Sequence, residues 1–242
     1  MKAIFKKELS TFFSTPVGYL VIGIYLIING LFLWVFEGDF NILHAGFADL
    51  NSYFFLAPWV FMFLIPAVTM RSFSDEVNSG TIEILKTKPI SITQIVLGKY
   101  FGALVLVLIS IVPTFFYVYT IYQLGNPIGN IKLGNVLGSF IGLFLLASVY
   151  TALGIFTSVL SKNQIVSFIS SVFLCFFMYY GIETLGTFNL FGNLDFFIQN
   201  LGINYHYQSV GKGVIDTRDI IYFISLIIVF LTATHQKVQY EN

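Results

Sequence analysis

Apolar positions along the chain gather into six long runs, at 16–36, 53–70, 100–124, 133–161, 163–182 and 220–236, separated by more polar stretches of varied length. A helix rises about 1.5 Å per residue, so roughly 17–25 apolar residues cross the ~30 Å hydrocarbon core of a bilayer. Every run meets that length. The fourth overshoots it and is expected to tilt or to project into water. No Asp, Glu, Lys or Arg interrupts any of the six. The pattern therefore predicts an all-α integral membrane protein with six transmembrane helices. An even number of crossings brings both termini to one side. On that side fall Lys2, Lys6, Lys7, Arg71, Lys86, Lys88, Lys99, Lys162 and Lys237, against Lys132, Lys212 and Arg218 on the other. The excess of basic residues predicts that the termini are cytoplasmic.

The polar stretch at 71–99, RSFSDEVNSGTIEILKTKPISITQIVLGK, has a helical pattern of its own. At about 100° per residue, Phe73, Val77, Gly80, Thr81, Ile84 and Leu85 fall on one arc, with Asp75, Glu76, Ser79, Glu83 and Lys86 opposite. This predicts a short amphipathic helix. Gly80 in its middle costs about 1 kcal/mol against Ala, which points either to close approach by a neighbour or to a break into two pieces. Pro89 ends the helix, and Ser91 with Gln94 three residues on has capping-box spacing, so a new helix is expected to start there and continue through Lys99 into the third run.

At the N-terminus, residues 1–15 place Ile4, Phe5, Leu9, Phe12 and Phe13 within about half of the helical wheel and Lys6, Lys7, Ser10 and Thr11 opposite, with Glu8 out of pattern. Two readings fit, an amphipathic helix on the membrane surface or a basic orientation signal. No cleavable leader pattern precedes the first run. Pro58 and Pro66 in the second run and Pro113 in the third each remove a backbone donor, so kinks are expected, and the freed carbonyls need partners within the protein. Gly134, Gly138 and Gly142 form a small-residue ridge on the fourth run, suited to close packing by a helix of the same chain or of another subunit. Gly98 and Gly102 raise the same question at the base of the third. The longest polar-bounded stretch, 183–219, is rich in Leu and Phe, so short helices dipping back into the membrane or a lid packed on the bundle are expected there.

With 57% hydrophobic and 10% charged residues and a mean hydropathy of +0.84, the chain has more apolar surface than a soluble domain of 242 residues could bury. Zero net charge gives no footprint for nucleic acid. The single Cys175, inside an apolar run, excludes a disulfide framework and a cysteine metal site. His44, His206 and His235 stand far apart, without the spacing of a zinc site, and no phosphate-binding glycine loop occurs; Gly211, Lys212 and Gly213 lack its remaining elements. No cofactor, metal or catalytic centre is expected. The absence of charge within the runs argues against ion-coupled transport, so energy is expected to enter from elsewhere.

Arg71, Phe73, Glu76, Gly80, Thr81, Glu83, Leu85, Pro89 and Lys99, at these spacings, resemble the signature of the ABC-2 type permease family. The resemblance extends over nearly all of residues 1–242 as one transmembrane domain. It implies that 71–99 is a cytoplasmic coupling helix docking on a separate ABC ATPase subunit, through Phe73, Glu76, Val77, Gly80, Thr81, Glu83, Ile84 and Leu85. It also implies a second contact at Lys162 and Asn163, a connecting helix at 1–15, a re-entrant segment at 183–219, and pairing with a second permease copy or a related membrane subunit. Residues 202–223, GINYHYQSVGKGVIDTRDIIYF, are similar to gliding-motility-associated permease subunits. That likeness implies a bacterial inner-membrane complex with a periplasmic-domain partner, serving export or surface motility. A membrane anchor that recruits the same ATPase without opening a path remains the rival reading.

Overall fold

A computed structural model describes residues 1–81, 83, 89–188, 192 and 195–240; these contain helices, turns and loops and no strand. Helix α1 (Lys2–Ser14) leads into α2 (Pro16–Gly30), with Pro16 at a first-turn position where its missing N–H costs nothing. A π-turn over Leu31–Val35 completes the first span. The second span is α3 (Asn51–Thr69), which runs almost without interruption into α4 (Arg71–Asn78). Helix α5 (Ile92–Ile111), a 3₁₀ turn at Val112–Thr114 and α6 (Phe115–Leu124) make the third, and α7 (Leu133–Leu160) the fourth. The fifth joins α8 (Gln164–Phe176), a π-turn at Phe177–Gly181 and α9 (Ile182–Thr187). Two short helices, α10 (Asp195–Asn200) and α11 (Ile203–Gly211), precede the sixth span, α12 (Thr217–Tyr240). Six helices are thus long and apolar enough to cross a membrane.

The ends follow local chemistry. Ser91 caps α5 by accepting the backbone N–H of Gln94, so the third span begins at Ile92, well before its apolar run. Gly80 has φ +68 and open space where a Cβ would stand, so it is the left-handed backbone, and not a close neighbour, that needs glycine there. It ends α4, which makes residues 71–78 an extension of the second span followed by a break at Gly80. Pro113 splits the third span at the 3₁₀ turn, whereas Pro58 and Pro66 lie within the continuous α3. The carbonyl that Pro58 leaves free, that of Phe54, receives the Tyr207 hydroxyl at 2.7 Å.

Spans two, three and four form the core, with 67, 67 and 72% of their apolar windows buried, against 28, 22 and 17% for spans one, five and six. The outer helices turn Ile24, Ile27, Phe173, Ile169, Ile221 and Ile228 outward, a surface suited to lipid and not to water. α7 stands at the centre, packed by α3, α5, α8, α11 and α12. Glycines set its closest approaches. A Cβ at Gly154 would collide with the Thr69 side chain, and one at Gly138 with the Val210 carbonyl, while Gly142 faces the Tyr207 ring. The ridge Gly138–Gly142 therefore seats α11 of the same chain, with Gly134 at its loose end near Gly213. Gly98 and Gly102 likewise receive Ile4 and Glu8 of α1.

Candidate functional site

The start of α1, the end of α12, α4 and the turn between α7 and α8 meet at one end of the bundle. Phe73, fully buried, packs there with Ile4, Ile95, Val96, Ile155, Val159 and Val238 in a satellite core, with Val77 at its edge. Lys99, only 2% exposed, points into the same region from α5. Its ammonium lies 2.9 Å from Glu76 Oε1 of α4 and 3.2 Å from Glu8 Oε1 of α1, and donates to the Ser72 carbonyl. The Phe73 ring sits below it, 4.9 Å from centroid to nitrogen. Two of the ammonium hydrogens thus go to Glu8 and the Ser72 carbonyl, with the Glu76 carboxylate beside them as an ion pair. Lys7 approaches Glu76 at 3.4 Å, so two lysines and two glutamates balance. One junction thus ties α1, α4 and α5.

A second tie runs to the loop at 161–164. Arg71 Nε donates to Gln164 Oε1 at 3.2 Å, and Gln164 Nε2 donates to Asp75 Oδ1. Asn163 caps α8 by accepting the Ile165 N–H at 2.8 Å. Lys162 and Asn163 are exposed beside α4, as are Asn78, Ser79, Gly80, Thr81 and Glu83. Ser79 bridges the turn, donating to the Asp75 carbonyl at 2.7 Å and meeting the Thr81 hydroxyl at 2.9 Å.

The structure brings the two segments expected to contact an ATPase side by side, but it divides their residues. Gly80, Thr81, Glu83, Lys162 and Asn163 offer an outward surface; Phe73 and, for the most part, Val77 and Glu76 face the bundle. The solvated polar arc expected from the helical wheel does not hold for Asp75 and Glu76, because Gln164 and Lys99 supply partners that the pattern of one helix cannot reveal. Ile84 and Leu85 lie outside the described residues. Lys99 and Gln164 carry the junction's geometry, and only Lys99, as a charged residue leading into an apolar run, could have been singled out from sequence.

The opposite end of the bundle holds a second polar knot. The Asn200 carbonyl can only accept, so His206 Nε2, 2.8 Å away, carries a hydrogen and donates it. His206 Nδ1 and Asp219 Oδ1, 2.6 Å apart, share another. Tyr222 stacks on the imidazole at 3.9 Å and donates to the Leu201 carbonyl at 2.6 Å. Asn204 donates to Glu183 at 2.7 Å. Burial pushes the Tyr207 hydroxyl well above its ordinary pKa, which keeps it a donor to Phe54. These bonds fasten α9, α10, α11 and α12 together, so the described residues of 183–219 fold onto the bundle. No His–carboxylate pair was visible in the sequence, because thirteen positions separate His206 from Asp219. Among the described residues there is no group of three side chains able to hold a metal ion.

A bundle of six apolar spans, with a charged junction at the end where α1 begins and α12 finishes, defines an α-helical multi-pass membrane protein. The model of the ABC-2 family transporter proteins matches residues 4–236, and the chain belongs to that family. Its members are membrane subunits of ABC transporters. Comparison with curated proteins gave no match.

Proposed function

We propose that this chain is the permease subunit of an ABC transporter whose ATP hydrolysis resides in a separate subunit, seated on the exposed strip from Asn78 to Thr81 with Glu83, Lys162 and Asn163. The observation that carries this reading is the Lys99 junction. A push on α4 from outside the bundle meets a buried ammonium that α5 carries and that also bonds α1, so displacement passes into the first and third spans without crossing a solvated gap. The tie through Gln164 extends it to the fifth span. The basic excess at this end supports a cytoplasmic position for the junction and for both termini. Six spans supply half of a pathway, so the working unit is a dimer, with a second copy or a related subunit. The likeness of residues 202–223 to gliding-motility permeases favours a bacterial inner-membrane complex with a periplasmic-domain partner, engaged in export or motility.

The test is co-expression with the products of neighbouring genes and purification in mild detergent, scoring co-elution of a P-loop ATPase and its hydrolysis rate. Wild type should retain the ATPase and alter its rate. Glu83→Lys with Lys162→Glu should abolish co-elution while leaving the melting temperature unchanged, since both side chains are exposed. Retention of a folded ATPase by this variant would remove the assigned strip, and co-elution without any change in hydrolysis would favour a scaffold over a permease.

A further inference from the structure

Beside the Lys99 junction, a cavity of about 240 Å³ opens between α1, the first turn of α2 and the start of α4. A second cavity, of about 470 Å³, lies between α2, α3 and α8. Ala67 lines both, and Val17 of the first stands one helical turn from Val21 of the second, so the two form one continuous depression. Its parts differ in chemistry. The second is apolar, walled by Val21, Ile24, Trp59, Phe63 and Phe168, with Ile24 and Phe63 turned outward. From Ala67 to Trp59 it follows α3 for about 12 Å, close to the ~15 Å of hydrocarbon in one leaflet. The first is charged but balanced, with Lys7, Arg71 and Lys99 against Glu8, Asp75 and Glu76. Several of its groups have bonding capacity to spare. Among the described residues Arg71 is bonded only through Nε, which leaves both Nη groups, and Glu8 and Asp75 each use one oxygen, toward Lys99 and Gln164. Lys7, its side chain 60% exposed, stands 3.4 Å from Glu76.

A pocket of zero net charge that offers both donors and acceptors suits a zwitterion, whereas a plain anion would bring a charge that nothing there offsets. Guanidinium and ammonium groups donate to phosphate oxygens, so Arg71 and Lys7 fit a phosphodiester. A primary ammonium has three hydrogens to give, which fits the remaining oxygens of Glu8 and Asp75. A trimethylated ammonium has none and calls for an aromatic cage, but Phe12 is the single aromatic ring among the residues lining this part. From a balanced polar pocket opening into a leaflet-long apolar groove, we infer that the chain holds one phospholipid with a primary-ammonium headgroup. Its phosphate lies at Arg71 and Lys7, its ammonium at Glu8 and Asp75, and one acyl chain along α3. The lipid joins α1 to α4 beside Lys99 and stays there as a fixed part of the junction. It touches none of the residues assigned to the docking strip, so either assignment can fail without the other.

The full chain, purified in detergent and washed free of lipid, is titrated with phosphatidylethanolamine, phosphatidylcholine or phosphatidylglycerol of identical acyl chains, and bound lipid is counted by native mass spectrometry. One phosphatidylethanolamine should bind at least fivefold more tightly than either of the others. Asp75→Asn keeps an oxygen for Gln164 but leaves the pocket with an excess positive charge, so the preference should turn to phosphatidylglycerol. Ala67→Phe, which fills the neck between the two cavities, should weaken phosphatidylethanolamine binding at least fivefold, while Ile221→Phe on the outward face of α12 should not change it. If Asp75→Asn melts below wild type in the absence of lipid, Ala67→Phe decides. No bound lipid, equal binding of all three as in a merely annular layer, a wild-type preference for phosphatidylglycerol or phosphatidylcholine, or affinity indifferent to Ala67→Phe would overturn the assignment.

Discussion

Lys99 is almost wholly removed from solvent, which is tolerable only because its ammonium donates to Glu8 and the Ser72 carbonyl and lies 2.9 Å from the Glu76 carboxylate. Removing one partner of a buried pair costs about 3–5 kcal/mol, while removing the whole set of charges together can be nearly neutral. Lys99→Met should therefore lower the melting temperature sharply, and adding Glu8→Gln and Glu76→Gln should recover much of the loss. Cys175, the single cysteine and fully buried, provides the readout, since a thiol-reactive dye reaches it only when the bundle opens. A triple variant that melts no higher than Lys99→Met alone would refute the charge account of the junction. The same geometry makes Glu76 unsuitable for testing docking: Glu76→Lys would set a cation against Lys99 and disturb the fold first. Lys99 could be read from the sequence as a charge at the mouth of an apolar run. Its partner Glu8 could not, because 91 positions separate them and nothing in either local pattern refers to the other.

Helix starts and stops were the most legible elements, because they depend on chemistry within four residues. Ser91 and Gly80 act where the local pattern indicates, one by capping α5 and the other by leaving the right-handed helix. Packing partners were not legible. The glycine ridge on α7 fits a helix of another subunit as well as one of its own, and only the fold shows α11 lying on it, with Val210 against Gly138. The same holds for Pro58: its missing donor is plain in the sequence, but the hydroxyl that replaces it comes from position 207. Tyr207→Phe should cost about 1–3 kcal/mol by leaving the Phe54 carbonyl unpaired in a buried place. Pro58→Ala restores a backbone N–H four residues beyond that carbonyl, so Tyr207→Phe should cost markedly less in that background. Comparing melting temperatures of the four proteins checks this, and an equal cost in both backgrounds would show that Tyr207 stabilises α11 by packing alone.

Across the whole molecule, one end has the start of α1, the end of α12, the Lys99 junction and the strip proposed for docking, and the other has the His206 knot. The six spans and their order were legible because hydropathy and length suffice for them. Which compartment each end faces rests on the count of basic residues, a statistical preference that contacts within the bundle do not reinforce. The chain itself allows a direct measurement. Its only cysteine is buried beneath Ser171 and Tyr150 within the helices, so wild type should be silent toward a membrane-impermeant maleimide in intact cells. Lys162 and Lys212 are exposed, one at each end. Lys212→Cys should then label from outside in intact cells, whereas Lys162→Cys should label only after the membrane is permeabilised. The reverse pattern would place the junction outside, where no cytoplasmic ATPase could reach it, and would remove the proposed coupling route while leaving the fold intact.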